Sequence, residues 1–162
     1  MTKDQAFDAA ARDMGFSFAG DIKLGGNYVP LKKDGATIYI SGQIPRVQDT
    51  VMVMGRVGAT VDLDQACLAA QICVMRALAL LQRECGSLDA VQAVLQITVY
   101  VQCAQDFTQQ SEVADAASNL LVQILGAAGT HARTSVSVYQ LPKNASVELD
   151  MVAKLAVGTQ SC

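Results

Sequence analysis

The chain has 162 residues, 51% of them hydrophobic and 17% charged, with three prolines, a composition that fits one compact domain with an ample core. Its net charge of −3, with Lys and Arg scattered, argues against a nucleic-acid surface, which needs those residues clustered. The five cysteines, Cys67, Cys73, Cys85, Cys103 and Cys162, are odd in number and form no CxxC pair. Neither a disulfide framework nor a zinc knuckle is expected, and a reducing cytoplasm is the natural setting.

The N-terminus lacks a basic region followed by an apolar run, and the longest apolar stretch, residues 66–81, is interrupted by Gln71 and Arg76. Neither secretion nor membrane insertion is indicated. Residues 4–14, "DQAFDAAARDM", predict a short helix stopped by Gly15, an addition in front of the main domain. In 36–41, Ala36, Ile38 and Ile40 alternate with Thr37, Tyr39 and Ser41, as in a strand with one buried face that the following "SGQIP" breaks.

Residues 64–85 predict a long helix capped by Asp64 and stopped at Gly86. Asp64, Gln65, Gln71, Arg76, Gln82 and Arg83 form its polar arc, and Cys67 and Cys73 read as small core side chains. Residues 91–101 predict a strand with Val91, Ala93, Leu95, Ile97, Val99 and Val101 on one face. A second amphipathic helix is expected over 108–125, ended by Gly126.

The last two strands flank a Leu-Pro turn. Parity sets Val136 and Val138 against Arg133, Ser135, Ser137 and Tyr139, and then Val147, Leu149, Met151 and Ala153 against Glu148, Asp150 and Lys154. On this reading Arg133 and Glu148 share the face away from the core, with Asp150 lining it. The order strand, helix, strand, helix, strand, strand predicts an α+β fold: a single mixed sheet with two helices packed on one face, plus the short N-terminal helix. The other face, with Thr37, Tyr39, Gln96, Thr98 and Tyr100, is uncharged and semi-polar, which suits burial against another subunit. Arg133 and Glu148 then form either an intersubunit ion pair or a ligand site at the junction.

"SGQIP" at 41–45, "HARTSVSVYQLPKNASVELD" at 131–150 and the element order between them resemble the Rid/YjgF family, also called endoribonuclease L-PSP-like, with a chorismate-mutase-like fold. The likeness covers about residues 25–157, leaving 1–24 as an extension and 158–162 as a tail. It implies a homotrimer with ligand clefts between subunits, where Arg133 holds a ligand carboxylate, Glu148 lies at the reacting atoms and Tyr28 borders the cleft, alongside Ser41, His131 and Ser135. Ser135 stands where the familiar deaminases have cysteine, and His131 where proline is usual.

The activity implied is hydrolysis of reactive enamines and imines to 2-keto acids and ammonia, with no metal or organic cofactor. The alternative is a non-catalytic binder of small carboxylates or keto acids. The endoribonuclease or translation-inhibitor reading of the family name fits poorly with an acidic chain of few aromatics. His131 is the single histidine, so a multi-histidine metal site is not expected. The expected partners are a small carboxylate or imino acid and further copies of the chain, without nucleic acid or membrane.

Overall fold

A computed structural model describes residues 1–157; the tail 158–162, with Cys162, lies outside them. Helix α1 spans Lys3–Met14 and α2 Leu63–Cys85, and α3 covers Gln110–Leu125. The strands are β1 (Leu31–Asp34), β2 (Thr37–Gln43), β3 (Arg46–Val47), β4 (Thr50–Val51), β5 (Val91–Gln102), β6 (Ala132–Val138) and β7 (Val147–Leu155). Five of them form one sheet in the order β1-β2-β7-β5-β6, antiparallel except for the β5–β6 pair, and β3–β4 is a separate hairpin. Helices α2 and α3 cover one face, so the expected α+β architecture is the one observed.

The sheet has one strand more than the sequence pattern predicted. β1 carries Lys32 and Lys33 and pairs with β2 across a Gly35-Ala36 turn, in which Gly35 has φ 58°. Its charged edge is the usual protection of a strand with one open side, and the Asp-Gly pair was its turn signal.

β2 does not stop at "SGQIP". Ile40 pairs with Met151 and Gln43 with Leu149, so Ser41 and Gly42 share the single interval opposite Asp150. This bulge rotates the strand by one residue and turns Gln43, rather than Gly42, toward the helices. Two irregularities likewise shift the start of β5: Val94 is buried and Leu95 is exposed, the reverse of simple alternation.

α2 begins one residue earlier than expected, and its cap is Asp62, not Asp64. The Asp62 side chain accepts from Gln65 N–H while Gln65 returns a bond to the Asp62 backbone, a reciprocal capping box. Gly86, in the left-handed region, closes the helix. By length and composition α2 is apolar enough to cross a membrane, but 67% of that window is buried inside the fold, which makes it the core helix. Arg76, expected on its polar arc, is buried. Cys73 is fully buried, as expected of a small core side chain, whereas Cys67 is only partly covered.

β6 also corrects the parity reading. Parallel pairing sets Arg133 beside Ile97, Ser135 beside Val99 and Ser137 beside Val101, all on the helix-covered face. Val136 pairs with Tyr100 and is exposed on the opposite face. β6 is an edge strand, so its core-side residues reach only α3 and the rim, and polar residues are tolerated there.

α1 packs on the main domain, with Phe7 and Ala10 in the core and Phe7 edge-on to Phe18. Asp4 ties it down, accepting from Leu88 N–H at 2.9 Å, Ser87 Oγ at 2.5 Å and Gln82 Nε2 at 2.8 Å. Burial pushes the Asp4 carboxyl up, but these three donors together hold it below its ordinary value. Its stabilisation is therefore complete above the ordinary aspartate range and lost as pH falls through the lowered native value. Asp4→Asn should cost about 1–2 kcal/mol in urea unfolding at pH 7, and the gap to wild type should narrow as pH falls below the ordinary aspartate value of 3.8.

Candidate functional site

The bulge in β2 opens a small cavity of about 70 Å³ at the end of the sheet, between Tyr28, Gly42, Arg46, Arg76, Lys143 and Glu148. Glu148 projects from β7 on the open face of the sheet and lies across Gly42. A Cβ at residue 42 would fall 2.1 Å from Glu148 Oε1, so glycine is what lets the carboxylate lie there. The carboxyl is half-buried; burial first, and the like charge of Asp150 second, raise its pKa above the ordinary glutamate value. Asp150 is itself held by Tyr100, whose hydroxyl donates to Oδ2 at 2.9 Å. Asp150 thus tunes Glu148 as well as lining the face.

The floor of the cavity comes from α2. Arg76 Nε donates to Gln43 Oε1 at 3.1 Å and Nη1 to Arg46 O at 2.9 Å, with a longer contact from Nη2 to Lys23 O. The wall is the segment leading into β1. Ser41 fixes it, donating from Oγ to Val29 O at 2.7 Å and from N–H to Pro30 O at 2.9 Å. Tyr28 thereby reaches the cavity with its ring against Gly26, and its hydroxyl accepts from Gly25 N–H. The opposite rim is Pro142–Asn144, where Lys143 and Asn144 both have φ 58°. Gln102 holds this strained turn, donating to Asn144 Oδ1 and accepting from Leu141 N–H, both at 2.7 Å.

Arg133 is not in this cavity. Its Nη1 donates to Asp115 Oδ1 at 2.7 Å and Ser118 Oγ at 3.1 Å, both on α3. Neither Nε nor Nη2 has a hydrogen-bond partner among the described residues, so the fork edge of the guanidinium stays open at the sheet rim. His131 completes the cluster: Nδ1 donates to Gly129 O at 2.6 Å, which leaves Nε2 to accept from Ser118 Oγ at 2.9 Å. Ser135 lies two residues along the same face.

The predicted residues therefore fall into two groups within one chain. Glu148 and Tyr28 line the cavity and Ser41 fixes its wall from behind, while Arg133, Ser135 and His131 belong to the β6–α3 rim on the other face. Sequence reasoning missed Gly42, Gln43 and Arg76, whose roles follow from the bulge. It also missed Asp115 and Ser118, whose spacing of three residues on α3 was the available signal. Arg56, outside the cavity, stacks over Tyr139 at 5.0 Å and donates to Cys103 O and Gln140 Oε1.

The YjgF/chorismate mutase-like endoribonuclease family matches residues 14–155. The chain belongs to this family. Protein TCP17 of Trypanosoma cruzi is 35% identical over 130 residues, 80% of this chain and 81% of that one. The crystal structure of Atu1372 from Agrobacterium tumefaciens, described as of unknown function, superposes with TM-score 0.85 at 32% identity, covering 95% of each chain. A Shewanella oneidensis structure has TM-score 0.88 at 26% identity, covering 96% of this chain and 100% of that one. Coverage this complete extends the likeness into α1.

The raised carboxyl has a thermodynamic consequence. Above the native pKa of Glu148 its charge costs stability; the cost is relieved as pH falls through that value and is gone below the ordinary value of 4.5. Glu148→Gln should therefore melt higher than wild type at pH 8, with the difference vanishing by about pH 4. Differential scanning fluorimetry across pH checks the sign; a lower melting temperature at pH 8 would mean that the charge is stabilised.

Proposed function

We propose that this YjgF-family chain hydrolyses reactive 2-imino acids and their enamine tautomers to 2-keto acids and ammonia, in a cleft formed by two copies. The observation that carries the reading is the pairing of incomplete halves. A half-buried carboxylate with raised pKa opens toward solvent on one side of the sheet, and a guanidinium with a free fork edge stands at the opposite rim. A cleft that joins the rim of one copy to the cavity of the next puts both on one ligand.

The chemistry follows from the groups. The Nε/Nη2 edge of Arg133 matches a carboxylate through two parallel hydrogen bonds, which fixes the imine carbon relative to Glu148. Glu148 takes a proton from water as the oxygen adds to that carbon. It hands that proton to the nitrogen, giving the carbinolamine, then takes the carbinolamine hydroxyl proton and passes it to the amine as the C=O bond forms and the C–N bond breaks, so imino acid plus water becomes keto acid plus ammonia. A carboxyl raised toward neutrality suits both halves of that cycle, worth roughly 10² to 10⁴ in rate. His131 and Ser118 act on Arg133, holding its Nη1 side so that the fork faces outward.

The semi-polar open face, with Tyr39, Leu95 and Val136 exposed, supports burial between copies, and a homotrimer is the assembly proposed. Ser135, in place of a cysteine, favours a second reading in which the cleft binds keto acids without turnover.

Light scattering at micromolar concentration should report about three chains. Glu148→Gln should lower imine hydrolysis about 10²-fold while keeping keto-acid affinity within a few-fold. Arg133→Lys should weaken keto-acid binding by about 1.5–3 kcal/mol. Because each site draws on two copies, co-refolding Arg133→Ala with Glu148→Gln chains should restore about a quarter of wild-type activity. No recovery would place both residues in one copy's site, and keto-acid binding without any wild-type turnover would establish the binder.

A further inference from the structure

The cavity beside Glu148 is more basic than the proposed reaction requires. Arg76 is buried to 5% exposure, and none of the ion pairs among the described residues includes it. Three of its five N–H groups meet oxygens, all of them uncharged. Arg46 adjoins it: its Nε is sealed from solvent with no hydrogen-bond partner, and its side chain makes no ion pair. The acid close enough to feel Arg46 is Asp49, which is exposed and already paired with Lys23. Lys23 and Lys143 complete the rim, so four cations face the single carboxylate Glu148.

A buried guanidinium beside a second one whose Nε is sealed from solvent, neither with a counter-ion, is costly, because a buried charge is normally paired. A well-placed anion removes that cost by accepting the free Arg46 Nε and the spare Arg76 donors. We propose that the Arg46–Arg76 corner is a subsite for a second anionic group, a carboxylate or phosphate at the far end of the ligand, so that the substrate class is a dianionic 2-imino or 2-keto acid. The substrate assignment rests on the keto-acid reading above; the anion subsite rests on the cavity alone. About 70 Å³ takes a small charged group and not a whole keto acid, which leaves the reacting end toward Glu148 and the cleft mouth.

Titration calorimetry compares 2-oxoglutarate and 3-phosphonopyruvate, each with a distal anion, against 2-oxopentanoate, which has none. Wild type should bind at least one of the dianions about tenfold or more tightly than 2-oxopentanoate, the tighter of the two identifying carboxylate or phosphate. That ratio should collapse toward one in Arg46→Gln, chosen because the Arg46 side chain makes no hydrogen bond whose loss would unfold the chain. Arg56→Gln, which removes a cation outside the cavity, should keep it. Equal wild-type affinities for all three, or a preference that survives Arg46→Gln, would overturn the subsite while leaving the keto-acid reading intact. Should no keto acid bind, that reading fails and inorganic phosphate decides: binding weakened about tenfold by Arg46→Gln sustains the subsite, and binding that is absent or unaffected by Arg46→Gln removes it.

Discussion

Burying a guanidinium in the middle of α2 sets the geometry of everything around the cavity. Arg76 emerges from a stretch, residues 72–81, in which every position is buried, so its donors must find acceptors inside the protein. Gln43 supplies one, and it does so because the bulge at Ser41-Gly42 turns it inward. The Arg46 carbonyl supplies another, which fixes the start of the β3–β4 hairpin. Lys23 O supplies the last and draws the chain after α1 across the helix, while Arg83, two turns on, binds the carbonyls of Phe18 and Gly20. Burial lowers the Arg76 pKa, and neighbouring Arg46 lowers it further, yet a guanidinium remains charged at any physiological pH. The fold therefore keeps a permanent positive charge beneath the cavity.

The same bulge serves the other side of the sheet. By adding one residue it puts Gly42 opposite Asp150 and under Glu148, so that a single backbone irregularity delivers both the floor contact and the carboxylate seat. The sheet then separates two chemistries. Glu148 belongs to the open face and Arg133 to the covered one, two strands apart in a sheet whose edge is β6. A single copy thus keeps the Glu148 carboxylate and the Arg133 guanidinium from neutralising each other.

Much of this was readable from the chain. The helices over 64–85 and 108–125 obey simple periodicity, and Gly15, Gly86 and Gly126 mark helix ends as expected. What escaped was phase. Alternation assigns a face only while the strand is regular, and bulges in β2 and β5 invert it partway along, which is why Leu95 was placed inward and Gln43 was overlooked. Arg133 failed differently: valines at 136 and 138 mimic a core face, but on an edge strand the core side is the rim, and an apolar pattern there marks the face left open. Arg76 was taken for a surface residue because periodicity counts polarity and cannot see a third element, the 17–28 segment, lying across the helix. Family likeness fixed Tyr28, Glu148 and Arg133 as positions and not as faces, so it could not foresee that Tyr28 and Glu148 line one cavity while Arg133 lies on the other side of the sheet.

Glu148 shows why such a site is not optimised for stability. Its carboxyl sits partly out of water beside Asp150, with Tyr100 fixing that neighbour's charge in place. Each of these features raises the energy of the ionised form, and none would survive selection for stability alone. The Arg76–Arg46 pair is the converse arrangement, positive charge concentrated without an acid to balance it. Opposite charges held a few side chains apart but not paired cannot relax into a salt bridge, because Arg76 is tied by Gln43 and the Arg46 carbonyl while Glu148 is tied by its strand and by Gly42. That separation preserves a polarised cavity: a dipolar ligand entering it meets an acceptor at one end and donors at the other, with the reorganisation already done by folding.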